Sequence, residues 1–294
     1  MRDGAVKRAQ GGAALPDGRA ASGLLGAAGL FLLAAAVTAG WMFLNFFYPD
    51  FETLGIRRAF ILVAIHVLIL LGLWLGLSRT DLSQPARVGV WLAIAIPFTV
   101  WLGTVWALAV NGVFSRAAGA LRVPPLPVAI FVPVLVGLLL LMRSTRVGVI
   151  LDATPPSWLI GIQAYRVFGG IFLVNWAKGL MPGAFALPAG TGDVLVGLLA
   201  LPVAFYVSRR GPAGRAAGIA WNLLGLADFA VAIAMGAMSS PGPLQAVSFA
   251  QPNRLLGTYP SVMIPAFAVP SSIILHVLSL WQLRRLFPAT RASA

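Results

Sequence analysis

The fold class this sequence predicts is all-α: a polytopic transmembrane helix bundle of about eight spans, with both chain ends on the cytoplasmic side. Three observations predict it. Of 294 residues, 59% are hydrophobic and only 10% are charged, against about 25% charged in a soluble domain, and the mean hydropathy is +0.90. The apolar residues gather in runs of about 20, the length a helix needs to cross a bilayer. None of these runs shows the alternation of barrel strands. The basic residues fall between the runs and favour one set of alternate loops. This composition excludes a water-soluble globular domain. It also excludes a disordered chain, which needs few apolar residues and much charge. The absence of Cys excludes disulfides, thiolate metal sites and Cys nucleophiles.

Residues 1–22 read as a disordered basic arm, with Arg2, Lys7, Arg8 and Arg19 among Gly and Ala. Residues 23–285 read as a single transmembrane domain, and 286–294 as a short cytoplasmic tail. The run 23–45 is too long for a signal-peptide core and reads as a retained signal anchor. Further spans are expected at approximately 58–78, 88–110, 125–142, 157–178, 191–208, 215–238 and 259–283. The fourth is the shortest, with Pro124, Pro125 and Pro127 crowding its start. The stretch 239–258 is the one long loop, and its Leu244, Val247 and Phe249 suit a connector lying on the membrane or folding over a cavity. No internal repeat is visible.

Eight spans with a cytoplasmic N-terminus place Arg2, Lys7, Arg8, Arg19, Arg79, Arg87, Arg143, Arg146, Arg209, Arg210, Arg215, Arg284, Arg285 and Arg291 inside. Only Arg57, Arg58, Arg116, Arg122, Lys178 and Arg254 fall outside, so the positive-inside rule selects N-in and C-in. The net charge of +13 is thereby explained without nucleic acid. Trp41, Phe43, Phe46, Phe47 and Tyr48 mark the outer interface, and Trp158 and Trp281 the inner one. The predicted location is a bacterial cytoplasmic (inner) membrane.

Charged side chains at membrane depth are rare and usually face the bundle interior. Arg166 lies 12 residues below Lys178, roughly 18 Å deep, and Asp228 10 residues below Met238, roughly 15 Å deep. The near-equal depths predict an Arg166–Asp228 ion pair. Asp193 is expected at the outer start of the sixth span, shallower but within reach of the long Arg166 side chain. Gln163, one turn below Arg166, and Asn222, nearly two turns below Asp228, read as hydrogen-bonding partners of this cluster. Gly190-Thr191-Gly192-Asp193 reads as a helix start, whose N–H groups favour anions. It is not a phosphate loop, because the Lys-Ser/Thr ending is missing.

His66 and His276 both lie inside spans, at expected depths of roughly 13 and 25 Å from the outer face. That offset argues against two axial ligands to one haem, and each His reads as neutral and hydrogen-bonded to a neighbouring helix. Gly72-x-x-x-Gly76 and Gly214-x-x-x-Gly218 permit close helix packing. The sequence presents no metal-ligand cluster, no catalytic constellation and no cofactor fingerprint, so no cofactor and no metal are predicted.

Gln163-x-x-Arg166, Gly179-Leu-Met-Pro182, Phe185-Ala186, Gly190-x-Gly-Asp193, Trp221 ahead of Asp228, and Pro265, Pro270 and His276 form a pattern over about 160–280. It resembles a group of uncharacterised bacterial multi-pass membrane proteins. The resemblance implies a helical membrane protein and places the costly residues inside a shared pattern. It implies no activity.

Three functions compete. A small-solute or ion permease fits the mid-membrane charges and the proline-broken last span, with Arg166, Asp193, Asp228, Gln163 and Asn222 as the site. A non-catalytic accessory or assembly subunit, or a lipid-binding scaffold, would use the charges only as a lock. An intramembrane lipid-modifying enzyme would have to rely on Asp193 and His66. The partners these readings call for are the lipid bilayer, a small solute or lipid ligand, and a membrane protein partner.

Overall fold

The computed structural model describes residues 18–48, 56–115 and 125–287. Most of the expected basic arm, 1–17, and of the tail, 288–294, lies outside the described residues. The described residues are helical, with no strand. The order is α1 (Gly18–Phe47), α2 (Ile56–Ser78), α3 (Gln84–Val110), α4 (Pro125–Arg143), a short α5 (Thr145–Ala153), α6 (Pro156–Gly161), α7 (Ile171–Ala177), α8 (Gly183–Arg210), α9 (Arg215–Ser239) and α10 (Val269–Leu286). Among the described residues seven stretches are long and apolar enough to cross a membrane, and the longest, the 57 residues Gly183–Ser239, contains both α8 and α9. These two pack on each other across a turn at Gly211, whose φ of 52° suits Gly. The chain is a multi-pass helical bundle, and the fourth span is one of its crossings.

The bundle is layered from outside in. α1 to α4 carry most of the exposed large apolar side chains, such as Leu32, Val100 and Leu135, as lipid-facing helices must. The interior is built from α6 to α10. Ile160, Val196, Ala200 and Trp221 form one buried cluster, and Ile171, Phe172, Met181 and Phe185 another. Phe267, with Leu62, Leu102 and Met263, forms a third.

Three departures from the sequence expectation matter for the site. The fifth span is broken: α6 runs into a 3₁₀ segment, Ile162–Gly170, before α7. With three residues per turn, this segment eclipses Gln163, Arg166 and Gly169 on one face. The sixth span starts at Gly183 behind Pro182, eight residues early, so Gly190-Thr191-Gly192-Asp193 lies inside α8 and is no helix start. Pro188 and Pro202 stay within α8, as prolines do in membrane helices whose neighbours satisfy the freed carbonyls. The helix start expected there is absent, and with it the N–H groups that would favour an anion. The last span begins at Ile264 with a π turn, Ile264–Ala268, because residues 255–263 are spent on turns.

The long loop is a folded cap. Asn253 N–H donates to Ser239 O at 2.9 Å, and Gln251 Nε2 donates to Gly179 O at 2.7 Å across the end of the bundle. Leu256 is buried beneath it, whereas Leu244 and Phe249 face outward.

At the face where the chain ends, Arg285 Nε donates to Asp152 Oδ1 at 2.9 Å. That hydrogen bond holds the Asp152 carboxyl below its ordinary range. The folded-state pKa is depressed, so the stabilisation is present above the ordinary Asp value and is lost as pH falls through the folded value. The pair is 38% and 41% exposed, so it contributes only about 0–1 kcal/mol. Asp152→Asn is expected to lower thermal stability in detergent by no more than that at neutral pH, with the difference vanishing in acid.

Gly197 is where the broken span touches α8: a Cβ there would lie 2.5 Å from Val167 N, against backbone that cannot step aside. Gly197→Val is expected to destabilise by about 1–3 kcal/mol, the range for overpacking. A thermal midpoint at or above wild type would show that the two helices are free to separate.

Candidate functional site

Arg166 projects from the 3₁₀ segment into the space between α8, α9 and α10 and is buried. Its Nε donates to Asp193 Oδ1 at 2.9 Å, and Nη2 lies 2.8 Å from the same oxygen. Nη2 also pairs with Asp228 Oδ2. Nη1 bonds His276 Nε2 at 3.0 Å and reaches the Gly225 carbonyl at 3.5 Å. The guanidinium plane sits 3.9 Å over the Phe229 ring. Each of the three guanidinium nitrogens therefore has an acceptor, and the five N–H donors match the five contacts.

An arginine keeps its protons, so His276 Nε2 must be the acceptor. The imidazole proton then sits on Nδ1, which donates to Asn222 Oδ1 at 2.9 Å. This orients the Asn222 amide, whose Nδ2 donates to Gly218 O at 2.8 Å and to Ser279 Oγ at 3.0 Å. One continuous network thus runs from two carboxylates through Arg166 and His276 to Asn222 and Ser279.

Close approach makes the network fit. A Cβ at Gly192 would run into the Asp228 carboxylate, and one at Gly225 into the His276 ring. Gly192 lets α8 come close to α9, so that both carboxylates share one guanidinium, and Gly225 lets α9 come close to His276 on α10.

The expected Arg166–Asp228 pair is present. Asp193 is deeper than its expected place at the outer interface: α8 starts early, which puts Asp193 inside the helix beside Arg166. Asn222 joins the cluster indirectly, through His276. Gln163 does not join it: both amide atoms of this fully buried side chain lack a hydrogen-bond partner, although it shares the 3₁₀ face with Arg166.

His276 was expected near the inner face and instead completes the cluster. The sequence expectation runs the last span from 259, at Tyr259, whereas the helical span starts at Ile264. Twelve residues at the helical rise give roughly 18 Å, the level of Arg166. A signal was available: Ser272, His276, Ser279 and Gln282 recur at helical spacing on α10, and all four are buried, a polar stripe on an inward face. His66 lies elsewhere, with Nε2 3.0 Å from Thr99 Oγ1 and its ring against Phe98. It does not meet Asp193.

A cavity of about 60 Å³ touches Arg166 and Asp193 and is otherwise walled mainly by apolar side chains of α1, α2 and the π turn. Beside it the Tyr165 hydroxyl and Ser272 Oγ are hydrogen-bonded at 2.5 Å. Counted as ionised groups, the cluster holds one positive and two negative charges. A single negative charge is left over at membrane depth, which a proton or a bound cation must offset. Among the described residues no group of three or more His, Asp or Glu side chains is placed to hold a metal ion.

The family described as a domain of unknown function (DUF8737) matches residues 123–284, more than half of the chain. The match takes in α4 to nearly the end of α10 and every member of the cluster. No curated protein and no solved structure matches.

Removing one partner of a buried ion pair leaves an uncompensated charge and destabilises by about 3–5 kcal/mol. Arg166→Ala, which strands two carboxylates, is expected to lie in that range in a thermal or denaturant titration in detergent. The exchange Arg166→Asp with Asp228→Arg keeps the charge inventory and should recover part of the loss. Wild-type stability in Arg166→Ala would show that the cluster does not hold the helices together.

Proposed function

We propose that this chain, which belongs to the DUF8737 family, is a small-solute or ion permease of a bacterial cytoplasmic membrane, oriented N-in and C-in. The cluster of Arg166, Asp193 and Asp228 is its site. The observation that carries the reading is that two carboxylates share one guanidinium beside a cavity at membrane depth. A lock between helices needs only one carboxylate per guanidinium. A second carboxylate on the same guanidinium is costly in hydrocarbon surroundings, and it gives a cation or a protonated solute something to neutralise. The surrounding helices are of the kind that line transport sites: a span broken into α6, a 3₁₀ segment and α7, and a π turn opening the last crossing. Irregular backbone at membrane depth is tolerated where it is buried in protein or lines a cavity.

The saturation of the guanidinium favours a second reading. With every Arg166 nitrogen engaged inside the protein, the cluster also suits a non-catalytic accessory subunit or lipid-binding scaffold whose core it fixes. The two readings separate in reconstituted vesicles. A permease gives a charge displacement or uptake signal with at least one member of a panel of monovalent cations, amines, amino acids and sugars, and Asp228→Asn abolishes it. A scaffold gives none, and is recovered from its membrane with a stoichiometric protein partner.

The orientation has its own test, made simple by the absence of native Cys. Asn111→Cys, beyond the end of α3, is expected to react with a membrane-impermeant maleimide on intact cells. Ser208→Cys, near the end of α8, should react only after the membrane is opened. The reverse pattern would invert the topology.

A further inference from the structure

The cavity beside Asp193 has a chemistry of its own, and the geometry points to a small primary ammonium ion, of the size of ammonium or methylammonium, as its occupant. The inference rests on the permease reading and names the substrate class of that site.

Charge selects the sign. Asp193 lines the cavity and is 9% exposed, so nine-tenths of it is buried. Its Oδ1 takes both bonds from Arg166, and among the described residues its other carboxylate oxygen has no hydrogen bond. A carboxylate oxygen left open where two carboxylates share one guanidinium invites a cationic N–H donor. An anion finds no matching attraction, because every nitrogen of Arg166 is already engaged.

Size and polarity select the class. A cavity of about 60 Å³ corresponds to the liquid volume of about two water molecules, room for a cation of one or two heavy atoms. The acceptors around it are few: the open Asp193 oxygen and the Tyr165–Ser272 hydroxyl pair. Trp41, Ile65 and Phe168 form apolar walls, and Trp41 is fixed by its Nε1–H bond to Phe168 O at 3.3 Å. A bare metal cation needs a shell of oxygens that these walls do not supply. An alkylammonium places its N–H bonds on the carboxylate and its methyl group on the apolar side.

The same ammonium chemistry is carried by an aminoethyl lipid headgroup, so the test controls the lipid. Protein in phosphatidylglycerol vesicles, which hold no amine, is titrated calorimetrically with methylammonium chloride, potassium chloride and sodium acetate. Saturable one-to-one binding of methylammonium alone is expected. Affinity should fall at least tenfold in Asp193→Asn, which removes the charge. It should fall as far in Ala268→Leu, which keeps every charge and fills the cavity from the π turn, so the result holds even if Asp193→Asn does not fold. Adding phosphatidylethanolamine leaves the titration unchanged if the occupant is a free amine and abolishes it if the lipid headgroup takes the site; both outcomes uphold an ammonium site. Absence of saturable methylammonium binding, or binding untouched by both variants, overturns the assignment. If another solute still drives an Asp228-dependent signal in reconstituted vesicles, only the substrate class falls; if none does, the permease reading falls with it.

Discussion

The structure depends on satisfying one guanidinium deep inside a membrane bundle. Arg166 brings a charge that cannot be neutralised by losing a proton, and five N–H donors that hydrocarbon cannot serve. Its requirements explain the arrangement around it. Three elements supply acceptors: Asp193 from α8, Asp228 and the Gly225 carbonyl from α9, and His276 from α10. Phe229 covers the exposed plane. α8, α9 and α10 must therefore meet at one level, and Arg166, Asn222 and His276 are buried where they do.

The backbone adapts to this requirement. Glycines stand where the helices approach too closely for a side chain, at Gly192 and Gly225 beside the charged groups and at Gly197 against the broken span. The 3₁₀ segment stacks Gln163, Arg166 and Gly169 on one face, which aims Arg166 at the cluster and leaves Asp193 room against Gly169. These features are coupled: widening the helix spacing would lengthen the contacts to both carboxylates together. Helices α1 to α4 sit outside this constraint and carry the lipid-facing surface, while the family match covers the part that contains it.

The network contains more acceptor charge than a helix lock requires. Two carboxylates share Arg166, and one of them, Asp193, stands beside a cavity. His276, Asn222 and Ser279 add order without charge, holding the imidazole in one tautomer and the amide in one orientation. In the permease we propose, an ordered, saturated donor next to an unsaturated acceptor would receive a positive guest, so that one set of residues would serve both the site and the packing of the helices.

The sequence by itself determined the fold class, most of the span positions and the Arg166–Asp228 pairing. Hydrophobic length, the placement of basic residues and matched depth are local quantities, readable from composition and a fixed rise per residue. It did not determine where the broken elements begin and end. Gly190-Thr191-Gly192-Asp193 looked like a helix start because glycines ahead of an apolar run suggest one in isolation; packing against neighbouring helices let α8 continue through them. Counting from Tyr259 misplaced His276, because turns and a π segment used residues that a regular helix would have spanned. Gln163 was expected in the cluster and stands buried without a hydrogen-bond partner. Only the tertiary structure decided that Asp193 and His276 share the level of Arg166 and that two carboxylates meet one guanidinium, since both facts depend on how four elements are brought together rather than on any one of them.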